Sequence, residues 1–404
     1  MTLHLFAAYG IELEYILVDA ATLDVLPAAD AVLRDASGAV VADLEHGDIA
    51  WSNELVLHVL ELKTNGPVAR LDGVAARFQR ELQRLQAALR PLGGRVMAAG
   101  MHPWMEPRRE TRLWPHEYAD VYRTFDRIFG CRAHGWANVQ SVHLNLPFAG
   151  DAEFGRLHAA IRLVLPLVPA LAASSPFVDG VASGQLDTRL RVYARNAAGI
   201  PSVTGDVVPE PVFTQAAYET EVLARIARDM APHDADGVLQ PEWVNARGAI
   251  ARFERSSIEI RLLDMQECPQ ADLACVALVA AAVRALVEER WVGLEELQRW
   301  PTPPLAALLQ ATIRDGERAR IDDLAYLAAF GRSGHQTAGD VWRHLAATVL
   351  QAPPELEPAL AIILEHGPLA RRLLAAAGPA PSRAQLRDVY GRLCDCLARG
   401  ESFV

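Results

Sequence analysis

A chain of 404 residues, 51% of them hydrophobic, can bury a sizeable core and has room for two or three domains. Its formal charge of −11 leaves no basic surplus to displace counterions from phosphates, which argues against a general nucleic-acid binder. Five scattered cysteines (Cys131, Cys268, Cys275, Cys394 and Cys396) fit reduced cytoplasmic thiols better than a disulfide framework.

At the N-terminus there is no basic n-region, and Glu12, Glu14 and Asp19 interrupt any apolar stretch, so no secretory leader is expected. Ile11 to Val18 reads as a strand, and so do Leu55 to Lys63 and Gln140 to Leu146. Between them, Leu71, Val74, Ala75, Phe78, Leu82, Leu85 and Leu89 recur at helical spacing, predicting a helix over 68–90 that Pro91 and Gly93-Gly94 stop. A second helix is predicted over 152–165, before Pro166 and Pro169. Phe253 to Leu263 is the clearest strand of the second half, and Asp272 is placed to cap a long helix over 272–289. The longest apolar runs, Leu163 to Ala173 and Leu273 to Val283, fall short of the ~20 residues of a membrane span, so no membrane partner is expected. After Pro301, Pro303 and Pro304 the remainder reads as helices, with candidates over 305–313, 338–350, 356–365 and 383–398. The expected division is 1–290 as one domain and 291–404 as a helical subdomain packed on it.

Four of these segments carry polar groups on one face. In Gly10-Ile11-Glu12-Leu13-Glu14 the two carboxylates project together, because residues two apart on a strand share a face. Keeping both ionised is easier with a cation between them; the plainer alternative is an exposed polar edge. Glu61 sits in an apolar segment, where an unpaired charge is costly. Its odd offset from Glu54 requires a bulge, a bend or two separate strands if both serve one site. Ser141, His143 and Asn145 line one face of the third segment, although a lone strand histidine is often only structural. In the fourth, Arg255, Ser257, Glu259 and Arg261 share a face, as a surface ion pair could also arrange. Together they suggest a sheet lined on one side by carboxylates, a histidine and arginines. Oxygen-rich donors suit Mg²⁺ or Mn²⁺, and the arginines suit phosphate. No Walker-type or Gly-x-Gly-x-x-Gly run is present, which disfavours the usual P-loop and dinucleotide folds.

The chain resembles the glutamate–cysteine ligase and carboxylate–amine ligase family, whose catalytic domain is glutamine synthetase-like. The markers are Gly10-Ile-Glu12-Leu-Glu14, Glu54 followed by Glu61-Leu-Lys-Thr64, Gly100-Met-His102-Pro103 and Ser141-Val-His143. Ala173-Ser174-Ser175-Pro176-Phe177 with Gly184 and Arg189, then Ile258-Glu259-Ile-Arg261-Leu-Leu-Asp264, complete the series. The resemblance implies an α+β fold, a curved antiparallel sheet with helices on one face plus C-terminal helices. It implies Glu12, Glu14, Glu54, Glu61, His143 and Glu259 as ligands of two or three Mg²⁺ or Mn²⁺ ions. Arg261 would contact the ATP phosphates and Arg189 the substrate carboxylate or the transferring phosphoryl group, with Thr64 and Asn145 as substrate or nucleotide contacts. The implied reaction joins a carboxylate, glutamate by expectation, to an amine such as cysteine through an acyl phosphate; a homo-oligomer is left open. Ser141 stands where many members have a histidine, and Ser257 and Leu263 stand at a Thr and a Cys position, which leaves the metal set intact and the acceptor in question. Two other classes remain at this point: a metal-dependent amidohydrolase, disfavoured by the absence of a paired-histidine motif, and a non-catalytic metabolite binder.

Overall fold

The computed structural model describes residues 3–404. Eight strands form one antiparallel sheet: β1 (Gly10–Asp19), β2 (Asp43–His46), β3 (Ile49–Asn53), β4 (Val59–Thr64), β5 (Gly94–Met97), β6 (Ser141–Pro147), β7 (Ala249–Arg252) and β8 (Ser257–Asp264). Their order is β2-β3-β4-β1-β6-β8-β7, and β5 also pairs with β1. One edge of β1 is therefore shared. Residues 10–13 pair with β6 and residues 16–19 with β5, so the sheet forks near Glu14.

Alternation along β1 decides what each face does. Ile11, Leu13, Tyr15 and Leu17 point inward with Leu60, Leu62, Leu144, Leu146, Ile258 and Ile260, all buried in one apolar cluster. Three helices cover that face: α1 (Val74–Leu89), α2 (Gly150–Val164) and α3 (Pro269–Val287). Burying each large side chain of this kind stabilises the fold by roughly 1.5–3 kcal/mol. The opposite face is divided. Glu12 and Glu14 open onto a cleft, whereas Ile16 and Val18 are capped by α4 (Leu369–Ala377) and α5 (Arg383–Arg399) through Leu369, Leu373, Leu386, Val389, Tyr390 and Leu393. Helices thus cover one face of the sheet, as expected, and the C-terminal pair also seals one end of the other.

Several boundaries differ from the sequence reading for local reasons. Leu55 to His58 does not extend β4. Leu57 N–H donates to Arg112 O and Trp114 N–H to Leu55 O, so this piece pairs with an approaching loop instead. The predicted strand over 253–263 is a hairpin whose turn contains Phe253–Arg255, with Ser256 left-handed at φ 51°, so Arg255 does not share the strand of Glu259. Helix α1 begins six residues later than predicted, after Gly73. Helix α3 begins three residues earlier because Pro269 suits the first helical turn. Asp272 is therefore inside the helix and its carboxylate accepts the Gln266 N–H (2.7 Å).

Two helical stretches, Gly150–Ala172 and Pro269–Val287, are in fact long and apolar enough to cross a membrane by length and composition. Their apolar windows are 94% and 83% buried inside the protein, which makes them core helices. Residues beyond 300 lie against the first of them: Thr312 donates to Pro166 O, Tyr326 to Leu163 O and Trp342 to Leu167 O. Two short helices here, Leu324–Ala329 and Leu369–Ala377, are absent from the sequence reading. All five cysteines are free and buried.

Candidate active site

Strand register assembles the acidic face. Glu14 lies opposite Glu61 on β4, and Glu12 lies between Lys63 on β4 and His143 on β6. Glu259 on β8 faces Asn145 on β6. Directly opposed residues share a face, so four strands deliver their polar groups to one place. Between Ile260 and Leu263 the β8–β6 register shifts by one residue. That bulge falls at Arg261 and turns Asp264 to the face of its partner Ser141, a reversal that simple alternation does not predict.

Hydrogen bonds then fix the side chains. His143 Nδ1 contacts Glu12 Oε2 (2.8 Å) and lies 3.7 Å from Glu259 Oε1, while its Nε2 meets Ser141 Oγ at 2.9 Å. Ser141 also donates its N–H and hydroxyl to Glu14, so it positions both a carboxylate and the imidazole where a second histidine was the family expectation. Asn145 donates to Glu12 (3.0 Å) and Ser52 to Glu61 (2.7 Å). Glu259 is gripped by two guanidinium groups, with Arg252 Nε at 2.9 Å and Arg261 Nε at 2.6 Å. Burial opposes ionisation of Glu259, but Arg261, Arg252 and His143 outweigh it and hold its carboxyl well below the usual range. The far side of the cluster is the reverse. Burial, with Glu12 beside it, pushes Glu61 up to about 7, and burial with Glu14 and Glu61 nearby raises Glu54 well above an ordinary carboxyl.

Two clefts meet over this face. The larger, about 650 Å³, is lined by Glu12, Glu14, Glu54, Glu61, Thr64, His143, Asn145, Glu259 and Arg261 together with Lys63, Tyr122 and Arg252. Arg189 lines the second cleft, of about 340 Å³, and is 2% exposed, with its Nε bonded to Asp264. Nine of the ten residues singled out from the sequence thus share the large cleft, and Arg189 stands behind it. Glu54 follows the end of β3 while Glu61 lies in β4, so of the bulge, bend or separate strands that their odd offset left open, it is the break between β3 and β4 that intervenes. The Thr64 hydroxyl accepts the Ile11 N–H (3.2 Å), so it is already engaged in holding β1. Sequence reasoning missed Arg252, which sits across the hairpin from Ser257 and lies one residue before the segment read as a strand.

The donor set fits divalent metal. Glu12, His143 and Glu259 form one group and Glu14, Glu61 and His143 another, each offering atoms within 4.8 Å of one another. Glu54 lines both clefts but belongs to neither group. Carboxylate-rich donors with one imidazole suit Mg²⁺ or Mn²⁺. Either ion is expected to raise the midpoint of thermal unfolding, since a ligand at a hundred times its Kd stabilises by about 2.7 kcal/mol. A thermal scan of wild type and Glu12→Gln, with and without the ion, checks this: the shift should largely vanish in the variant.

Gly100 shows why a glycine accompanies this site. A Cβ there would overlap the Asp264 carboxyl. That carboxyl also accepts from Ser174 N–H (2.8 Å) and Ser175 Oγ (2.7 Å), so it has no room to retreat. Gly100→Ala is expected to cost about 1–3 kcal/mol from overpacking, measured as a lower urea midpoint; an unchanged midpoint would mean that the loop yields freely.

The same architecture occurs in solved ligases. A glutamate–cysteine ligase from Francisella tularensis in complex with AMP matches with a TM-score of 0.56 at 13% identity, over 96% of this chain and 88% of that one. A bifunctional glutathione synthetase from Pasteurella multocida matches with a TM-score of 0.59 at 15% identity, over 98% of this chain and 52% of that one. This chain therefore spans about half the Pasteurella protein, and at such identities the likeness is one of fold. The fold is thus one that these ligases share. The model of glutamate-cysteine ligase family 2 matches residues 8–391, and the chain belongs to that family. Among its relatives, an uncharacterized protein of Archaeoglobus fulgidus is 30% identical over 94% of this chain and 95% of its own. A candidate glutamate–cysteine ligase 2-1 of Rubrobacter xylanophilus is 27% identical over 69% of this chain and 67% of its own.

Proposed function

We propose that the protein is a cytoplasmic, ATP-dependent carboxylate–amine ligase that forms an amide through an acyl phosphate, with glutamate and cysteine as the first pair to test. The observation that carries this reading is the junction of the two clefts. Glu14, Glu54, His143, Arg252 and Arg261 line both, so a nucleotide in the larger and a second substrate in the smaller would meet at the same charged groups. About 650 Å³ lies within the ~300–1,000 Å³ typical of small-molecule sites.

A carboxylate oxygen of the donor attacks the γ-phosphorus of ATP; the bond to the β-phosphate oxygen breaks and ADP leaves. An amine then attacks the acyl carbon, phosphate departs and the nitrogen loses a proton. Arg261 and Arg252 are aimed by Glu259 at the junction, where they stabilise negative charge building on the transferring phosphoryl group. Glu12, Glu14, Glu61, His143 and Glu259 would hold the cations, with Glu54 beside them. Bound Mg²⁺ would neutralise the β- and γ-phosphate charge. Arg189, fixed by Asp264 behind the smaller cleft, orients that wall and the Arg261 carbonyl, 3.4 Å away. In this reading residues 1–290 carry the chemistry and 291–404 brace the sheet.

ADP release by the purified chain with Mg²⁺ and ATP tests the proposal across pairs of carboxylates and amines. Release that needs both partners, with a matching amide by mass, is the expected result. Release with no amine dependence, or amide hydrolysis without ATP, would overturn it.

A further inference from the structure

The smaller cleft has walls unlike the acidic face it adjoins. Leu55, Val121, Phe125, Trp136, Val139, Trp243 and Val244 form its apolar side, and its volume is about 340 Å³. That is the size of a complete small-molecule site, and a three-carbon amino thiol would leave most of it empty. Trp136 is held rigidly. It stacks on Phe129 (centroids 5.2 Å apart, 29° between planes), tilts against Phe125 at 5.5 Å, and donates its Nε1–H to Asn196 O at 2.9 Å. Trp243 is the opposite, a rim residue with 54% of its surface exposed.

Its exposure is not slack in the fold. Trp243 belongs to a short helix, Pro241–Val244, that is tied to the charged junction: Arg252 gives its Nη1–H to Glu242 O (2.8 Å) while its Nε holds Glu259 (2.9 Å). One arginine therefore ties the backbone beside the rim tryptophan to the reacting groups. An exposed tryptophan on this helix and a half-buried, packed one line the same cleft, so a flat apolar group entering it meets two aromatic side chains. At the inner end Glu54, which belongs to neither metal group, offers its carboxyl oxygens to the polar head of a ligand.

We propose that the smaller cleft seats the amine substrate, and that this amine carries a flat apolar group larger than the side chain of cysteine, an aromatic amine or aromatic amino acid. The proposal rests on the ligase reading for the word substrate, but the binding preference stands on the cleft alone.

The test uses the full chain with Mg²⁺ and ATP, titrating phenethylamine, phenylalanine, cysteine and glycine while following tryptophan fluorescence and thermal midpoint. The aromatic probes are expected to bind about tenfold tighter than cysteine, a difference of about 1.4 kcal/mol. Trp243→Ala should weaken aromatic binding about fivefold or more and leave cysteine nearly unchanged, as expected when a surface contact to the ring alone is removed. Trp136→Ala should do the same, but its packing on Phe125 and Phe129 makes it liable to misfold, so Trp243→Ala decides. Cysteine binding as tightly as either aromatic probe, or aromatic binding indifferent to Trp243→Ala, overturns the proposal. ADP release on the same panel separates the two readings. Turnover with glutamate and cysteine but with no aromatic amine sinks this inference and keeps the ligase. Aromatic binding without ADP release from any pair keeps the cleft assignment and sinks the ligase.

Discussion

Glu259→Gln is expected to lower ADP release by about a thousandfold, the upper end of what removal of one preorganised charge costs an active site. Glutamine keeps the shape of the side chain but presents an amide to two guanidinium groups. Arg252 at 2.9 Å, Arg261 at 2.6 Å and His143 at 3.7 Å lose their shared counter-charge, and one metal-binding group loses an oxygen anion. The two arginines would then swing toward other acceptors, away from the cleft junction. The fold should survive, because the Arg261 and Arg252 side chains keep 26% and 15% exposure and can reach water. Circular dichroism and a thermal scan establish that point before the ADP assay. Turnover within a few-fold of wild type in a folded variant would remove Glu259 from the reacting centre.

The largest expected loss of stability is at Asp264, which sits behind the centre. Its carboxylate is fully buried and accepts from Ser174 N–H, Ser175 Oγ and Arg189 Nε. Asp187, close by, is raised well above an ordinary carboxyl by burial and by the Asp264 charge. Asp264→Ala leaves a buried arginine without its counter-ion, which typically costs about 3–5 kcal/mol. Urea unfolding measures it. Arg189→Met combined with Asp264→Leu should recover a good part of the loss, since apolar replacement of a whole buried pair is often tolerated. A double variant as unstable as Asp264→Ala alone would mean that the serine contacts, not the ion pair, set the cost.

How legible all this was depends on range. The acidic face was readable because period-two alternation reports which residues share a side, and Glu12, Glu14, His143, Asn145 and Glu259 each lie in a strand of regular alternation. Arg252 was not, since its approach to Glu259 needs the hairpin turn at Phe253–Arg255, which propensity read as strand. Asp264 ends the last of the family markers, and the pattern around it assigns it no role. Its turn toward Ser141 depends on a one-residue bulge that no local pattern announces. Glu54 was left open between three geometries, and the loop at 112–114 that draws Leu55 and Leu57 away from β4 lies some 50 residues distant. The family resemblance supplied the order of the markers, and the register supplied their meeting.

The division of β1 into an open acidic half and a covered apolar half has a consequence for biosynthesis. Ile16 and Val18 emerge from the ribosome well before the side chains that cover them, Leu369 to Leu393, which come about 350 residues later. At about 5–20 residues per second that interval is tens of seconds. Throughout it, this side of the nascent sheet shows an apolar strip to its surroundings, a state prone to association with other chains or to capture by chaperones. Yield of correctly folded protein should therefore respond to elongation rate and chaperone supply more than to the strength of the finished core.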